Sequence, residues 1–333
     1  MHAATPTTAP PYEGLTPDRV LDALDSVGIR GDGRLLALNS YENRVYQVWR
    51  DEAPPVIAKF YRPARWSDAQ IAEEHAFIDE LAAAAVPVVP PLAIGGATLH
   101  AFEGFRFAAF ERRGGRAPEL DDRETLVRIG RFVARIHAVG ARQAFALRPA
   151  LTRETFGVAS RDDLLAHDWL PADLREVWKG VADHALDSVE RCYARAGEDA
   201  LLRLHGDCHA GNVLWTDAGP HFVDFDDART GPAIQDLWML LSGERGDMER
   251  QLAAVLEGYE TFGRLDRREL NLVEPLRTLR LLHYSAWIAR RWDDPAFPAA
   301  FPWFGTQRYW QDRILELREQ IALMDEPALA APT

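Results

Sequence analysis

Three polar residues stand at fixed intervals within residues 204–227: Asp207, Asn212 five positions later, and Asp224 at the end of an apolar run. Their types are those that phosphoryl transfer uses. A carboxylate accepts or orients the proton of an attacking hydroxyl, while an amide oxygen and a second carboxylate hold the divalent cation that neutralises a triphosphate. On this reading Asp207 is the base, Asn212 and Asp224 are Mg2+ ligands, and ATP is the donor. Gly206 and Gly211 allow the intervening loop to turn sharply.

Two blander readings compete. His205, Asp207 and His209 alternate as H-x-D-x-H, a pattern that could bind zinc or iron. Gly206 and Gly211 disfavour the regular strand this needs, and no second His or Cys cluster supplies further ligands. Aspartates also cap turns, and Asp217 in Asp217-Ala218-Gly219 is read that way. Asp207 and Asp224 fall instead where apolar strands meet a loop. An Asp, an Asn at this interval and a metal-binding Asp on the next hairpin form the order found in protein-kinase catalytic loops.

A second group lies upstream. Of 38 Lys and Arg residues only Lys59 and Lys179 are lysines, so Lys59 within the apolar run Val56-Ile57-Ala58-Lys59-Phe60 points to a need for a compact ammonium. It resembles the strand lysine that pairs the α- and β-phosphates. Glu74, on the helix that follows, is its expected carboxylate partner, and Glu73 is read as a solvated helix charge. Ser40, in a turn without G-x-G-x-x-G, is the expected phosphate contact, with Asn43 holding the turn.

These residues need elements to position them. Thr16-Pro17-Asp18 opens a short helix through residue 27. Strands are expected over 35–38, 45–49 and 55–61, a helix capped by Ser67, and a hairpin over 98–110. After Gly114-Gly115 the pattern becomes helical, with Leu126, Ile129, Phe132, Val133 and Ile136 on one face. A long helix is expected over 172–194, strands over 201–204, 213–215 and 221–225, and helices over 251–262, 267–291 and 307–324. The fold class is α+β: a two-lobed, kinase-like arrangement with a small β-rich N-lobe and a large α-rich C-lobe. The expected boundaries are a flexible N-terminus at 1–14, a nucleotide-binding N-lobe at 15–111, a C-lobe with the catalytic loop and acceptor region at 112–326, and a frayed tail at 327–333.

Composition limits the classes. The chain has 333 residues, 47% hydrophobic and 27% charged, within the ordinary globular range. Its formal charge of -13 argues against nucleic-acid or anionic-membrane surfaces. The longest apolar stretch, 81–94, is interrupted by Pro87, Pro90 and Pro91, too short and broken to span a bilayer. No basic and apolar leader opens the chain, and two cysteines give no disulfide framework, so a cytoplasmic protein is expected. Cys208, beside the base, is read as a buried, inert thiol.

Taken together, the residues resemble the aminoglycoside phosphotransferase and choline kinase superfamily. The resemblance rests on His205-Gly206-Asp207-x-His209-x-Gly211-Asn212, then Asp224, then Asp236-Leu237. Asn39-Ser40-Tyr41-Glu42-Asn43-Arg44-Val45-Tyr46-Gln47, Lys59-Phe60-Tyr61-Arg62-Pro63 and the run from Asp226 to Trp238 are similar to a bacterial stress-response branch of serine/threonine kinases. It covers residues 15–325. The resemblance implies a monomeric cytoplasmic protein kinase of envelope and oxidative stress, with Asp207 as proton acceptor, Asn212 as a Mg2+ ligand, Asp224 as a second catalytic, active-site residue that also holds Mg2+, and Ser40 at ATP. It also implies that Asp236 hydrogen-bonds the catalytic-loop backbone. Asp224-Phe225-Asp226 replaces D-F-G and no A-P-E follows, so activation-loop control is not expected. The alternative is a small-molecule kinase of homoserine, choline or aminoglycoside type; aromatics within 284–310 could line a pocket for a cationic acceptor.

Overall fold

The computed structural model describes residues 10–197 and 200–331. It divides into two compact units: Met1–Asp79, Val89–Arg113 and Arg291–Pro302 form the first, and Glu80–Val88, Gly114–Arg290 and Trp303–Thr333 the second. Residues 1–9 of the expected flexible lead lie outside the described residues, as do 332–333. Within that lead Tyr12 is tied down, its hydroxyl donating to Glu42 O at 3.0 Å.

The first unit opens with α1 (Pro17–Ser26), where the Thr16 hydroxyl accepts from Arg19 N at 3.3 Å and Pro17 occupies the first turn. Next come β1 (Leu35–Leu38), β2 (Arg44–Arg50), β3 (Ala53–Phe60), α2 (Asp68–Ala83), β4 (His100–Phe102) and β5 (Phe105–Glu111). The strands make one antiparallel sheet ordered β1-β2-β3-β5-β4. Alternation along β3 assigns its faces. Val56, Ala58 and Phe60 pack with Val20, Ala23 and Leu24 of α1, while Tyr61 and Ala108 pack with Ile71 of α2. Each large apolar side chain buried this way stabilises the unit by roughly 1.5–3 kcal/mol.

The second unit holds α3 (Arg123–Gly140), a π-helical turn at Arg153–Val158, α4 (Ala159–Ala166), α5 (Ala172–Ala196), β6 (Leu202–Leu204), β7 (Val213–Thr216), β8 (Gly219–Phe222), β9 (Arg229–Gly231), α6 (Ile234–Trp238), α7 (Arg245–Tyr259) and α8 (Val273–Ala289). After α9 (Ala296–Ala300), which belongs to the first unit, α10 (Gln307–Asp325) completes it. Helices α3 and α7 touch backbone to backbone. A methyl group on Gly130 would lie 2.1 Å from Val255 O, and one on Gly258 would lie 1.9 Å from Val127 O.

Several expectations shift. The strand expected over 221–225 stops at Phe222, because Asp224 is left-handed (φ 61°, ψ 63°) and Phe225–Asp227 is a 3-10 turn. β6 pairs with β9 and β7 with β8, two separate pairs, and the short β9 is not visible in the sequence pattern. The helix expected over 267–291 is a 3-10 turn at Arg267–Leu272 followed by α8. Pro275 fits the first turn of α8 but not a helix interior, where its missing N–H would break the ladder. α7 begins before residue 251, at Arg245, through a reciprocal cap between Glu244 and Asp247. Within the tail expected to fray over 327–333, the described residues dock: Leu329 is buried and Arg245 Nη2 donates to Ala328 O at 2.7 Å. Residues 291–302 group with the first unit through Asp294, which takes Arg62 at 2.8 Å and Arg44 at 3.1 Å, and through Arg291, which holds Glu42 at 2.6 Å.

Candidate active site

The loop from β6 to β7 is fastened from below by Asp236 of α6. This wholly buried carboxylate accepts from His205 N at 2.9 Å and Gly206 N at 2.8 Å, and meets His137 Nε2 at 3.1 Å. Gly206 sits at φ 85° with Asp227 O 2.2 Å from where a Cβ would be, so only glycine fits this crossing. Gly211, by contrast, keeps an ordinary φ and is small because the His209 ring lies against it.

Both histidines brace the loop. His205 Nε2 donates to Val223 O at 2.9 Å, and its Nδ1 accepts from Asp207 N at 3.3 Å. His209 Nδ1 accepts from Gly211 N at 2.9 Å, which places its proton on Nε2, 3.5 Å from Asp207 Oδ2. With both His205 nitrogens engaged, the H-x-D-x-H metal pattern is a loop brace.

Asn212 Nδ2 donates to Asp207 O at 2.9 Å and lies 3.5 Å from Asp207 Oδ2. The amide is thereby oriented, with Oδ1 as its other end. The Asn212 carbonyl accepts from Val223 N at 3.0 Å, so Asp224, an exposed residue, follows one position past that link. The structure thus brings Asp207 and Asn212 into contact and Asp224 to the adjoining backbone position. Oxygen donors of this kind fit a hard divalent cation. Among the described residues no group of three His, Cys, Asp or Glu side chains is arranged to hold a metal.

Burial pushes the Asp207 carboxyl up, but hydrogen bonding from His209 and the charge of Arg280 outweigh it and hold it below the usual carboxylate range. Arg280, on α8, puts Nη1 2.8 Å from Asp207 Oδ1. Spacing gave no sign of this residue, because it reaches the loop from a distant helix. Arg148 is another such residue: buried, it donates through Nε to Ala228 O at 2.6 Å and through Nη2 to Asp226 O, fixing the turn after Asp224. Burial, followed by the charges of Asp236 and Asp207, drives the Cys208 thiol far up, so it stays protonated and inert.

In the first unit Lys59 pairs across the sheet with Val45 and Ala108, on the face of β3 that α2 covers. Its Nζ lies 5.3 Å from the Tyr61 ring centroid. Lys59 and Glu74 are both buried, and Glu73 is half-buried rather than solvated. Ser40 is half-buried in the β1–β2 turn. Asn43 does hold that turn, its Oδ1 accepting from Arg62 N at 3.1 Å. The aromatics expected to line a cation pocket include Phe304, Tyr309 and Trp310, which are core residues; Tyr309 and Trp310 have centroids 5.1 Å apart.

Comparison with known proteins finds relatives of this chain. A sequence model of a phosphotransferase enzyme family, APH, matches residues 34–270. Stress response kinase A of Salmonella choleraesuis (strain SC-B67) is 44% identical over 318 residues, 96% of each chain. A protein of Salmonella typhimurium (strain LT2) named serine/threonine protein kinase RdoA is 44% identical over the same share. Among solved structures, amicoumacin kinase hAmiN, in complex with AMP-PNP, Ca2+ and Ami, superposes with TM-score 0.69 at 18% identity over 90% of each chain, a likeness of fold. A loop constellation of this kind in a chain so matched leaves one assignment: the protein belongs to the phosphotransferase enzyme family.

Proposed function

We propose that this phosphotransferase moves the γ-phosphoryl group of ATP, with Mg2+, to serine or threonine hydroxyls of a protein. The single observation that carries the chemistry is the Asp207 carboxylate, kept ionised and contacted at 3.5 Å by the Asn212 amide in a loop anchored by Asp236. Relatives named as serine/threonine and stress response kinases support the protein acceptor and the stress role. The AMP-PNP and Ca2+ bound in the amicoumacin kinase complex support a nucleotide with a divalent cation.

Asn212 Oδ1 and the Asp224 carboxylate would hold the cation, whose charge offsets that of the phosphates. Lys59, with Glu74 as its carboxylate, and Ser40 are assigned to the nucleotide. Asp207 receives the acceptor hydroxyl. The hydroxyl oxygen bonds to the γ-phosphorus, the bond to the bridging oxygen breaks, ADP leaves with the electron pair, and the hydroxyl proton passes to Asp207. Residues 15–111 would then serve the nucleotide and 112–326 the catalysis and the acceptor. A cytoplasmic monomer acting on neither nucleic acid nor membrane completes the reading; no helix among the described residues is long and apolar enough to cross a bilayer.

The test is incubation with γ-labelled ATP and Mg2+, once with protein acceptors and once with homoserine, choline and an aminoglycoside. Label on serine or threonine of the protein is the expected result. Label confined to the metabolites would transfer the assignment to small-molecule phosphorylation.

A further inference from the structure

Arg280 is not required by the loop motif, yet it stands on the atom that must do the chemistry. Its Nη1 is 2.8 Å from Asp207 Oδ1. The contact is ionic rather than a directed hydrogen bond, since Oδ1 is shielded from solvent and no donor among the described residues is aligned with it. Oδ2 already faces His209 Nε2 and Asn212 Nδ2, each at 3.5 Å. Oδ1 is therefore the oxygen left for an incoming hydroxyl, and the guanidinium occupies the approach. With 42% of its side chain exposed, Arg280 has room to swing away.

The surrounding charges leave Arg280 as the group an acceptor would meet. Asp227 is taken by Arg229 Nη2 at 2.5 Å. Arg277, one turn earlier on α8, is held by Glu274 at 3.1 Å and lies 5.4 Å from the Trp238 ring centroid. When a hydroxyl takes Oδ1, Arg280 loses its partner and needs another anion. A guanidinium binds a carboxylate or phosphate through two parallel N–H bonds.

We infer that Arg280 selects the acceptor, binding an acidic residue beside the target serine or threonine so that acidic peptides are taken and basic ones refused. The inference rests on the protein-kinase reading above. An extended chain advances about 3.3 Å per residue, so an acidic side chain one or two positions from the hydroxyl spans the reach of a guanidinium next to Oδ1. The same charge repels cationic acceptors such as choline or an aminoglycoside.

The experiment compares three peptides identical except that the serine is flanked by Glu, Ala or Lys, and reads kcat/KM for each with wild type, Arg280→Lys, Arg280→Gln and Arg280→Glu. Wild type should favour the Glu peptide over the Lys peptide by at least about tenfold. Arg280→Lys should keep the direction of preference, Arg280→Gln should bring the ratio near one, and Arg280→Glu should reverse it. Because the readout is a ratio within one protein, loss of overall rate does not mimic the effect, and a melting curve confirms that each variant folds. Peptides phosphorylated without charge preference, or a ratio unchanged in Arg280→Gln and Arg280→Glu, would overturn the role of Arg280 and leave the kinase reading intact. Label on metabolites but on no peptide would instead overturn the kinase reading, and the acidic-peptide acceptor with it.

Discussion

Asp207 receives a proton donor from His209, an amide from Asn212 and a cation from Arg280, and each contact leaves the carboxylate ionised while dividing labour between its two oxygens. The neighbouring Asp224 is the residue proposed for metal binding, and its left-handed backbone turns the chain out of the strand before it. Asp224→Ala should therefore weaken nucleotide binding in the presence of Mg2+ by about tenfold or more while leaving metal-free nucleotide binding little changed. Paired titrations with and without Mg2+ measure this, and equal losses in both would remove Asp224 from the metal. Asp207, Asn212 and Asp224 could be singled out because they share one short stretch of sequence, Asp207 and Asn212 in the β6–β7 loop and Asp224 just past β8, where residue type and spacing can be read directly. Arg280 and Arg148 were not, since each enters from a separate element and its role exists only after folding.

Elements are held in register by close approaches that carry no chemistry. At the α3–α7 crossing, Gly130 and Gly258 let two helix backbones touch, and a methyl at Gly258 would meet Val127 O at 1.9 Å. Gly258→Ala should cost about 3 kcal/mol, whereas Gly180→Ala, in an exposed stretch of α5 with nothing within 4 Å, should gain about 0.5–1 kcal/mol. Urea denaturation of both variants separates the cases, and a Gly258→Ala protein as stable as wild type would mean that the helices do not cross so closely. Apolar period located most helices and the sheet of the first unit, including β1 to the residue. It failed where backbone geometry, not side-chain pattern, sets the end. Val223 and Phe225 continue the apolar run past Phe222, the last ladder residue of β8, and a left-handed Asp224 cannot be read from composition.

At the scale of the whole molecule, ion pairs set the response to acid. Arg203 is buried, and its hydrogen bond to Glu80, 2.6 Å from Nη2 to Oε2, is the largest favourable influence holding the Glu80 carboxyl below its ordinary value of 4.5. A depressed folded-state value means that the unfolded chain binds the proton first. The stabilisation is then complete above pH 4.5 and is lost as pH falls through the lower folded value. Melting temperature should fall below that point, and Glu80→Gln should be less stable at pH 7 with a shallower acid limb; an unchanged limb would show that the pair contributes nothing. The assignment of residues 291–302 to the first unit was not legible, because it depends on ion pairs such as Arg62 with Asp294, which join residues remote in sequence. Single-turnover transfer from saturating Mg-ATP, run side by side for wild type and Asp207→Asn, bears most directly on the role of the catalytic loop. The transfer rate should drop by about 10²–10⁴-fold with nucleotide affinity held within about threefold. Transfer at the wild-type rate by the Asn variant would contradict it.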